Sequence, residues 1–160
     1  MGQKLKVVET EKTKEDGNWF YSDVVKDHFF NPRNFLKDKN AVKDYDGYGD
    51  VGNVLCGDRM DMWIKVDKKT DKIIECKWLT WGCASAIAST SMLSEMLTEN
   101  GGMKIDDSLK IKPIDIIKRL GNLPKIKYHC SVLGDHALRA AIYDYFKRSK
   151  QHNRIKEGVQ

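Results

Sequence analysis

The sequence predicts an α+β fold, a small three-stranded antiparallel sheet with helices packed on one face. Two observations lead to this prediction. Apolar and polar residues alternate from Met60 to Val66, which is the period of a half-buried strand, and a second strand is predicted over Ile73–Trp81 after a polar turn. After Cys83 the apolar residues recur at helical spacing instead. Strands followed by a run of helices indicate an α+β domain.

The elements before this hairpin are short. Residues 1–20 are polar and unpatterned, and we expect them to form a flexible N-terminal extension. Ser22 is a favourable N-cap for a helix, which Asn31-Pro32 ends. Residues 37–50 are charged and rich in Gly and Asp, with one edge strand predicted near Ala41–Tyr48.

Three helices are predicted after the hairpin. The first follows Cys83 and ends at Asn100-Gly101-Gly102. The second opens at Pro113 and runs to Gly121-Asn122. The last begins at or near Ser131 and carries its apolar residues on one face.

Composition and charge exclude several classes of protein. A chain of 160 residues is expected to form one main domain, here over 21–148. Residues 147–160 hold five Lys and Arg against one Glu, so most of the net charge of +5 lies at the C-terminal end. We expect a solvated helix end followed by a frayed basic tail, 149–160. Nucleic-acid binding is not expected, because it favours a basic face with aromatic residues. The sequence has no apolar run long enough for a membrane helix and no signal peptide, which predicts a cytoplasmic protein.

The four cysteines fall into two groups. Cys76 lies inside the second predicted strand and is expected to pack in the core. Cys56 lies in a loop before the first strand, Cys83 at a strand-to-helix junction, and Cys130 next to the start of the last helix. A helix N-terminus lowers the pKa of a thiol and favours the thiolate, the form that binds metals and attacks as a nucleophile.

Two further candidate ligands accompany these thiols. Asp58 follows Cys56 by two residues, and His129 precedes Cys130. Three sulfur ligands with one oxygen or one nitrogen ligand suit Zn²⁺ or an iron–sulfur cluster. The residues alone also allow three unrelated buried thiols, an Asp58 that caps a turn, and a His129 that supports the ligands without binding. The remaining histidines have no thiol neighbour and are expected to be structural or exposed: His28, His136 and His152.

Four segments of the chain resemble the IscU/NifU-like family of iron–sulfur cluster assembly scaffolds. They are Asp27-His28-Phe29-Phe30-Asn31-Pro32-Arg33-Asn34, Leu55-Cys56-Gly57-Asp58, Gly82-Cys83-Ala84-Ser85-Ala86-Ile87-Ala88-Ser89 and His129-Cys130-Ser131-Val132-Leu133. The motifs occur in the family's order, and the resemblance runs from about Tyr21 to Arg148.

The resemblance implies a scaffold rather than an enzyme. A labile [2Fe–2S] cluster would be assembled from iron and from persulfide sulfur supplied by a cysteine desulfurase, and then passed to apo iron–sulfur proteins. Zn²⁺ could occupy the same ligands when iron is absent.

The resemblance also implies a role for each site residue. Cys56, Cys83 and Cys130 would bind the cluster, and either Asp58 or His129 would be the fourth ligand. Cys130 would be the main persulfide acceptor with Lys127 beside it. The carboxylate of Asp58 would make the cluster exchangeable, because a hard oxygen ligand holds iron less firmly than a thiolate.

Two departures refine this interpretation. Family members served by a dedicated Hsp70-type chaperone carry Leu-Pro-Pro-Val-Lys before the His-Cys pair, whereas this chain has Leu123-Pro124-Lys125-Ile126-Lys127, which counts against that partner. The alternative function is a zinc-dependent, SufU-like sulfur acceptor. That branch carries a long insertion between the second and third cysteines, and the 47-residue step from Cys83 to Cys130 is too short for it.

Overall fold

The computed structural model describes residues 21–53 and 57–155, so the predicted extension over 1–20 lies outside the described residues. The helices are α1 (Asp23–Phe30), α2 (Ala84–Thr98), α3 (Ile105–Ser108), α4 (Pro113–Arg119) and α5 (Tyr128–Arg148). The strands are β1 (Gly47–Asn53), β2 (Asp58–Asp67), β3 (Lys72–Trp81) and β4 (Met103–Lys104). No helix within the described ranges is both long and apolar enough to cross a bilayer.

The strands form one antiparallel sheet in the order β1-β2-β3-β4, which confirms the α+β class. The predicted sheet lacks β4, a two-residue strand paired with the start of β3 and too short to show an alternating pattern. Arg59 at the start of β2 pairs with Trp81 at the end of β3. The loop before β2 and the junction after β3 therefore meet at the same end of the sheet.

The main core lies between one face of the sheet and helices α2 and α5. Met60, Met62 and Ile64 of β2 are fully buried there, as are Cys76 and Trp78 of β3. The alternation seen in the sequence is thus the alternation of core and outer faces, and the prediction that the helices pack on one face is confirmed.

A smaller apolar cluster covers part of the outer face. Leu36, Val42 and Tyr45 pack there against Trp63 and Leu79.

The predicted edge strand near Ala41–Tyr48 is wrong except for its last two residues. Residues Lys39–Val42 form a 3₁₀ turn, and β1 begins at Gly47. The side chain of Asp38 accepts the N–H of Asn40 at 2.9 Å, which favours a turn over an extended chain.

The last helix begins three residues before the predicted Ser131. A 3₁₀ turn over Lys125–Lys127 leads directly into α5 at Tyr128, so Cys130 is inside the first turn of the helix. The hydroxyl of Ser131 donates back to the carbonyl oxygen of Tyr128 at 2.7 Å rather than capping the helix from outside.

The first part of the basic tail is docked, not solvated as expected. Arg154 lies in a short 3₁₀ turn and forms a two-pronged ion pair with Asp71, at 2.9 and 2.8 Å. Its guanidinium also lies over the ring of Phe146, 4.5 Å from the centroid. These contacts hold the chain after α5 against the β2–β3 turn.

Buried hydroxyls of α2 fasten the N-terminal segment to the core. Ser91 accepts the backbone N–H of Arg33 and bonds Nδ1 of His28, both at 2.8 Å, and Ser85 bonds the hydroxyl of Tyr21 at 3.0 Å. The buried position of His28 confirms its structural interpretation. Helix α2 begins directly after Cys83, as predicted, and these hydrogen bonds connect it to the N-terminal segment.

A candidate metal centre at one end of the sheet

Three of the predicted ligands converge where the start of β2 meets the end of β3. Asp58 is the first residue of β2, Cys83 is the N-cap of α2 just after β3, and Cys130 lies in the first turn of α5. One ligand atom of each lies within 4.8 Å of the others. We call these three residues the ligand cluster.

Antiparallel pairing explains half of this convergence. Because Arg59 pairs with Trp81, Asp58 and Cys83 both lie just beyond this pair, at the same end of the two strands. The hydroxyl of Thr80 donates to the carbonyl oxygen of Arg59 at 2.7 Å and ties the two chain segments together. Cys130 joins them from 47 residues away because α5 packs across the sheet.

The two thiols of the cluster are in direct contact. The sulfur atoms of Cys83 and Cys130 lie 3.5 Å apart. This S–H···S contact with Cys130 is the largest of the influences that lower the pKa of Cys83, to about 5. The N–H groups of Ala86 and Ser85 and the charge of Lys127 act in the same direction, although neither N–H makes a well-aligned capping hydrogen bond.

The same contact has the opposite effect on Cys130. Its pKa is raised because its proton is held by Cys83, because the thiol is buried, and because Cys83 and Asp58 are negative neighbours. The sequence suggested a thiolate at Cys130. The contact instead makes Cys83 the more acidic of the two thiols, whereas Cys130 keeps its proton more readily.

Gly82 makes room for the carboxylate of the cluster. A Cβ added at Gly82 would lie 3.4 Å from the carboxyl carbon of Asp58 and 3.0 Å from the Cβ of Ala86. Any larger residue would therefore press on both Asp58 and the first turn of α2. Asp58 itself is half-buried, and one of its carboxylate oxygens lies within 4.8 Å of both sulfurs.

The two basic candidates beside Cys130 differ in position. Lys127 is the N-cap of α5 and half-buried, and its charge lowers the pKa of both Cys83 and Cys130. His129 is exposed, and it lies outside the group of close ligand atoms found among the described residues. Ligation by His129 stays a prediction.

The other two cysteines have separate outcomes. Cys76 is fully buried in β3, and burial raises the pKa of its thiol to about 12, which confirms a core residue and not a ligand. Cys56 lies within residues 54–56, outside the described residues, so its ligand role stays a prediction.

The ligand cluster has the chemistry of a small metal site. Two sulfur atoms and a carboxylate within a few ångströms can bind a soft or borderline metal ion with room for further ligands. The positions that the sequence analysis missed are those that support the cluster, such as Gly82 and Ser85. Their supporting contacts involve residues far away in sequence, for example Tyr21 with Ser85.

Comparison with known proteins identifies the family of this chain. A family profile described as "NifU-like N terminal domain" matches residues 20–152. The chain is 48% identical over 137 residues to a protein of Archaeoglobus fulgidus named iron-sulfur cluster assembly scaffold protein IscU 1, covering 86% of this chain and 84% of that protein. It is 47% identical over 127 residues to the nitrogen fixation protein NifU of Azotobacter chroococcum mcd 1, covering 79% of this chain but only 39% of that longer protein.

Solved structures share the fold at lower sequence identity. The structure of a putative iron-sulfur cluster assembly scaffold protein for the SUF system from Fervidobacterium islandicum AW-1 has a TM-score of 0.59 at 19% identity, covering 77% of this chain and 96% of that one. A NifU-like protein (N-terminal) from Brucella abortus has a TM-score of 0.57 at 16% identity, covering 80% and 95%. At these identities the likeness concerns the fold alone.

Proposed function

Because the chain belongs to the family of NifU-like N-terminal domains, we propose that it is a scaffold on which an iron–sulfur cluster is assembled and from which it is passed to apo-proteins. The observation that carries this proposal is the convergence of Asp58, Cys83 and Cys130 at one end of the sheet. Cys56, two residues before Asp58, would complete a set of three thiolates and one carboxylate for a [2Fe–2S] cluster.

The mixed ligand set suits a cluster that must leave. Four thiolates would hold the iron firmly, whereas a carboxylate is a poorer ligand for it and exchanges more readily. Asp58 is half-buried, so an incoming thiolate from an acceptor protein could displace it. The cluster is therefore cargo, and the scaffold is not expected to catalyse a reaction on another substrate.

Sulfur would enter as a persulfide from a cysteine desulfurase, with Cys130 as the acceptor. The thiolate of Cys130 would attack the terminal sulfur of the desulfurase persulfide. A new S–S bond forms at Cys130, and the desulfurase cysteine leaves as a thiolate. Reduction of each transferred sulfur to sulfide then needs two electrons from an external donor.

The charges of the ligand cluster suggest an order of events. The pKa of Cys130 is raised by Cys83 and Asp58, and a cation bound to those two residues would neutralise both. Iron bound first at Cys83 and Asp58 would therefore release Cys130 as the free nucleophile, with Lys127 beside it. Without iron, Cys83 is the more acidic thiol and would compete as the sulfur acceptor.

Persulfide trapping tests this assignment. With a cognate desulfurase, cysteine and Fe²⁺ under anaerobic conditions, alkylation and peptide mass spectrometry should find the extra sulfur chiefly on the Cys130 peptide. Cys130→Ser should remove most of the signal, and Cys76→Ser should leave it unchanged because that thiol is buried. A label that remains on Cys83 with iron present would contradict the role of Cys130 while leaving the scaffold function open.

Anaerobic reconstitution tests the function itself. Incubation with iron, cysteine and a desulfurase should give a brown protein with about two irons and two sulfides per site. The alternative, a zinc-dependent sulfur acceptor, predicts a colourless protein that keeps Zn²⁺ through desulfurase turnover. Zn²⁺ in the purified protein would not decide between them, since the same ligands accept zinc when iron is absent.

The proposed partners are a cysteine desulfurase as sulfur donor and apo iron–sulfur proteins as acceptors. A dedicated Hsp70-type chaperone is not proposed, because Lys125 replaces the second proline of the expected motif. Both Lys125 and Ile126 are exposed, so this replacement changes the surface that a partner would meet.

A further inference from the structure

Strand β1 and helix α5 are in backbone contact at two glycines. A Cβ added at Gly49 would lie 2.5 Å from the backbone nitrogen of Ala141 and 2.8 Å from the Cβ of Ala140. Its nearest neighbour of all would be the backbone oxygen of Ala137. A Cβ added at Gly47 would overlap the backbone oxygen of Ala141. The nearest obstacle at each glycine is helix backbone, so a side chain at either position would push the helix away rather than displace a flexible neighbour.

A hydrogen bond fixes the helix along the strand at the same place. The backbone N–H of Tyr48, between the two glycines, donates to the carboxylate of Asp144 at 2.8 Å. Asp144 also pairs with Arg148 one turn further along α5, at 2.9 Å. The helix is thus held both in its distance from β1 and in its position along it.

The two elements joined by this contact lead to different parts of the ligand cluster. The last residue of β1, Asn53, pairs with Asp58, so β1 and the carboxylate belong to one hairpin. Helix α5 carries Cys130, seven residues before Ala137 and therefore about 10 Å away along a rigid helix. The contact at Gly49 is a direct mechanical link between the hairpin that carries Asp58 and the helix that carries Cys130.

We propose that Gly49, together with Gly47, is a positioning residue that sets the distance of Cys130 from Asp58 and Cys83. The consequence for cluster assembly rests on the proposed scaffold function, whereas the effect of Gly49 on the distances between the ligands does not. A purely structural role would lower the free energy of unfolding and leave the site of the folded protein unchanged, whereas a positioning role changes the site while the core stays intact.

The chain provides a matched control in the same strand. A Cβ added at Gly52 would meet only the backbone oxygen of Asp58, at 3.7 Å, an ordinary contact. Neither Gly49 nor Gly52 is among the described residues with positive φ, so alanine is compatible with the backbone at both positions. The variants Gly49→Ala and Gly52→Ala differ in what the added methyl group meets.

The test measures how close Cys83 and Cys130 are. In a Cys56→Ser background, metal-free protein is oxidised with diamide, and the Cys83–Cys130 disulfide is followed by peptide mass spectrometry. In Gly49→Ala, disulfide formation should be about tenfold slower or more, because small displacements of reacting groups have large effects on rate. With Cys56 restored, the thiolate-to-Co²⁺ charge-transfer band should also weaken. Gly52→Ala should match the parent protein in both measurements.

Native protection of Cys76 from alkylation shows that the core is intact. A folded Gly49→Ala protein with the same disulfide rate and Co²⁺ spectrum as Gly52→Ala would overturn the proposal. If Gly49→Ala does not fold, Asp144→Ala decides the matter, because it removes the tie to Tyr48 without adding volume. It should slow disulfide formation severalfold, and an unchanged rate would again overturn the proposal.

The result is separable from the proposed function. If the parent protein fails to assemble a cluster but Gly49→Ala still slows disulfide formation, the positioning role stands and the scaffold function is refuted. If the parent protein assembles a cluster and Gly49→Ala oxidises as fast as Gly52→Ala, the scaffold function stands and the positioning role is refuted.

Discussion

The two ends of the sheet differ in how their charged and polar groups are paired. At the end with the β2–β3 turn, Arg154 is paired with Asp71 and with Asp106, the latter at 2.9 Å, and stacks on Phe146. Each of these charges finds an opposite charge within the chain. We call this the closed end.

At the other end, groups that carry negative charge lie close to one another. Two sulfurs 3.5 Å apart and a nearby carboxylate share one site, and Lys127 is the cation that acts on both thiols. Like charges at such distances shift each other's pKa and are relieved by a bound cation. The closed end therefore contributes to stability. The ligand end instead brings together negative groups whose repulsion a bound cation would relieve.

The largest expected effect is the loss of cluster assembly in Cys83→Ser. The serine removes the more acidic of the two thiols, and a hydroxyl is a far weaker ligand for iron. Visible absorbance after anaerobic reconstitution should fall to background, with little change in the urea midpoint. Cys76→Ser provides the opposite control, since it should keep the cluster and lose stability. A brown Cys83→Ser protein would remove Cys83 from the ligand set.

Thiol reactivity should separate the cysteines by orders of magnitude. In the metal-free protein, alkylation of Cys83 should rise as its thiol deprotonates and reach half of its plateau near pH 5. Cys76, with a pKa of about 12 and no exposure, should stay unmodified at neutral pH until the protein unfolds. Pulsed iodoacetamide labelling from pH 4 to 9, read by peptide mass spectrometry, measures both. A half-point for Cys83 above pH 8 would mean that Cys130 does not stabilise its thiolate.

Removing the carboxylate should slow the release of the cluster severalfold. Asp58→Ala deletes the exchangeable oxygen ligand while leaving both described thiols of the site in place. The measurement is the decay of visible absorbance of the loaded scaffold after an apo-acceptor is added. Asp50→Ala, a substitution of an exposed carboxylate in β1, should transfer like the wild type. Equal rates for Asp58→Ala and wild type would show that the labile ligand lies elsewhere.

The smallest effect is expected at the closed end. Arg154→Ala should lower the free energy of unfolding by about 1–2 kcal/mol, through lost ion pairs and lost stacking on Phe146. Urea titration measures this change, and cluster yield should be unaffected. Lys110→Ala, which removes an exposed i,i+3 pair with Asp107, should change stability by less than about 0.5 kcal/mol. A loss of cluster yield in Arg154→Ala would show that the two ends are coupled.

Local patterns predicted much of this molecule. The alternation in β2 predicted its two faces, and the strand bounds put Asp58 just before the first strand of the hairpin and Cys83 just after the second. The start of α5 was missed because the sequence offers Ser131 as a cap, whereas the chain enters the helix from a 3₁₀ turn and Ser131 bonds within it.

Other features depend on contacts that no local pattern contains. The charge at Cys83 follows from a sulfur 47 residues away, so helix position alone could not assign it. Gly47 and Gly49 lie in a charged segment rich in Gly and Asp that gave no sign of a packing contact, and their contact with α5 is visible only in the folded chain. From the sequence alone, Arg154 was expected in a solvated tail. Its contacts with Asp71 and Phe146 exist only because the chain folds back after α5.

The docking of Arg154 also determines where a label can be attached. Strand β2 has ten residues and separates the β2–β3 turn from the ligand cluster by about 30 Å. Because Arg154 binds Asp71 in that turn, Ile155 lies at the far end of the sheet from the sulfurs. A fluorophore or surface linker joined to the chain beyond Ile155 would start about that far from the thiols, which makes this the attachment point of choice for watching cluster transfer on an immobilised scaffold.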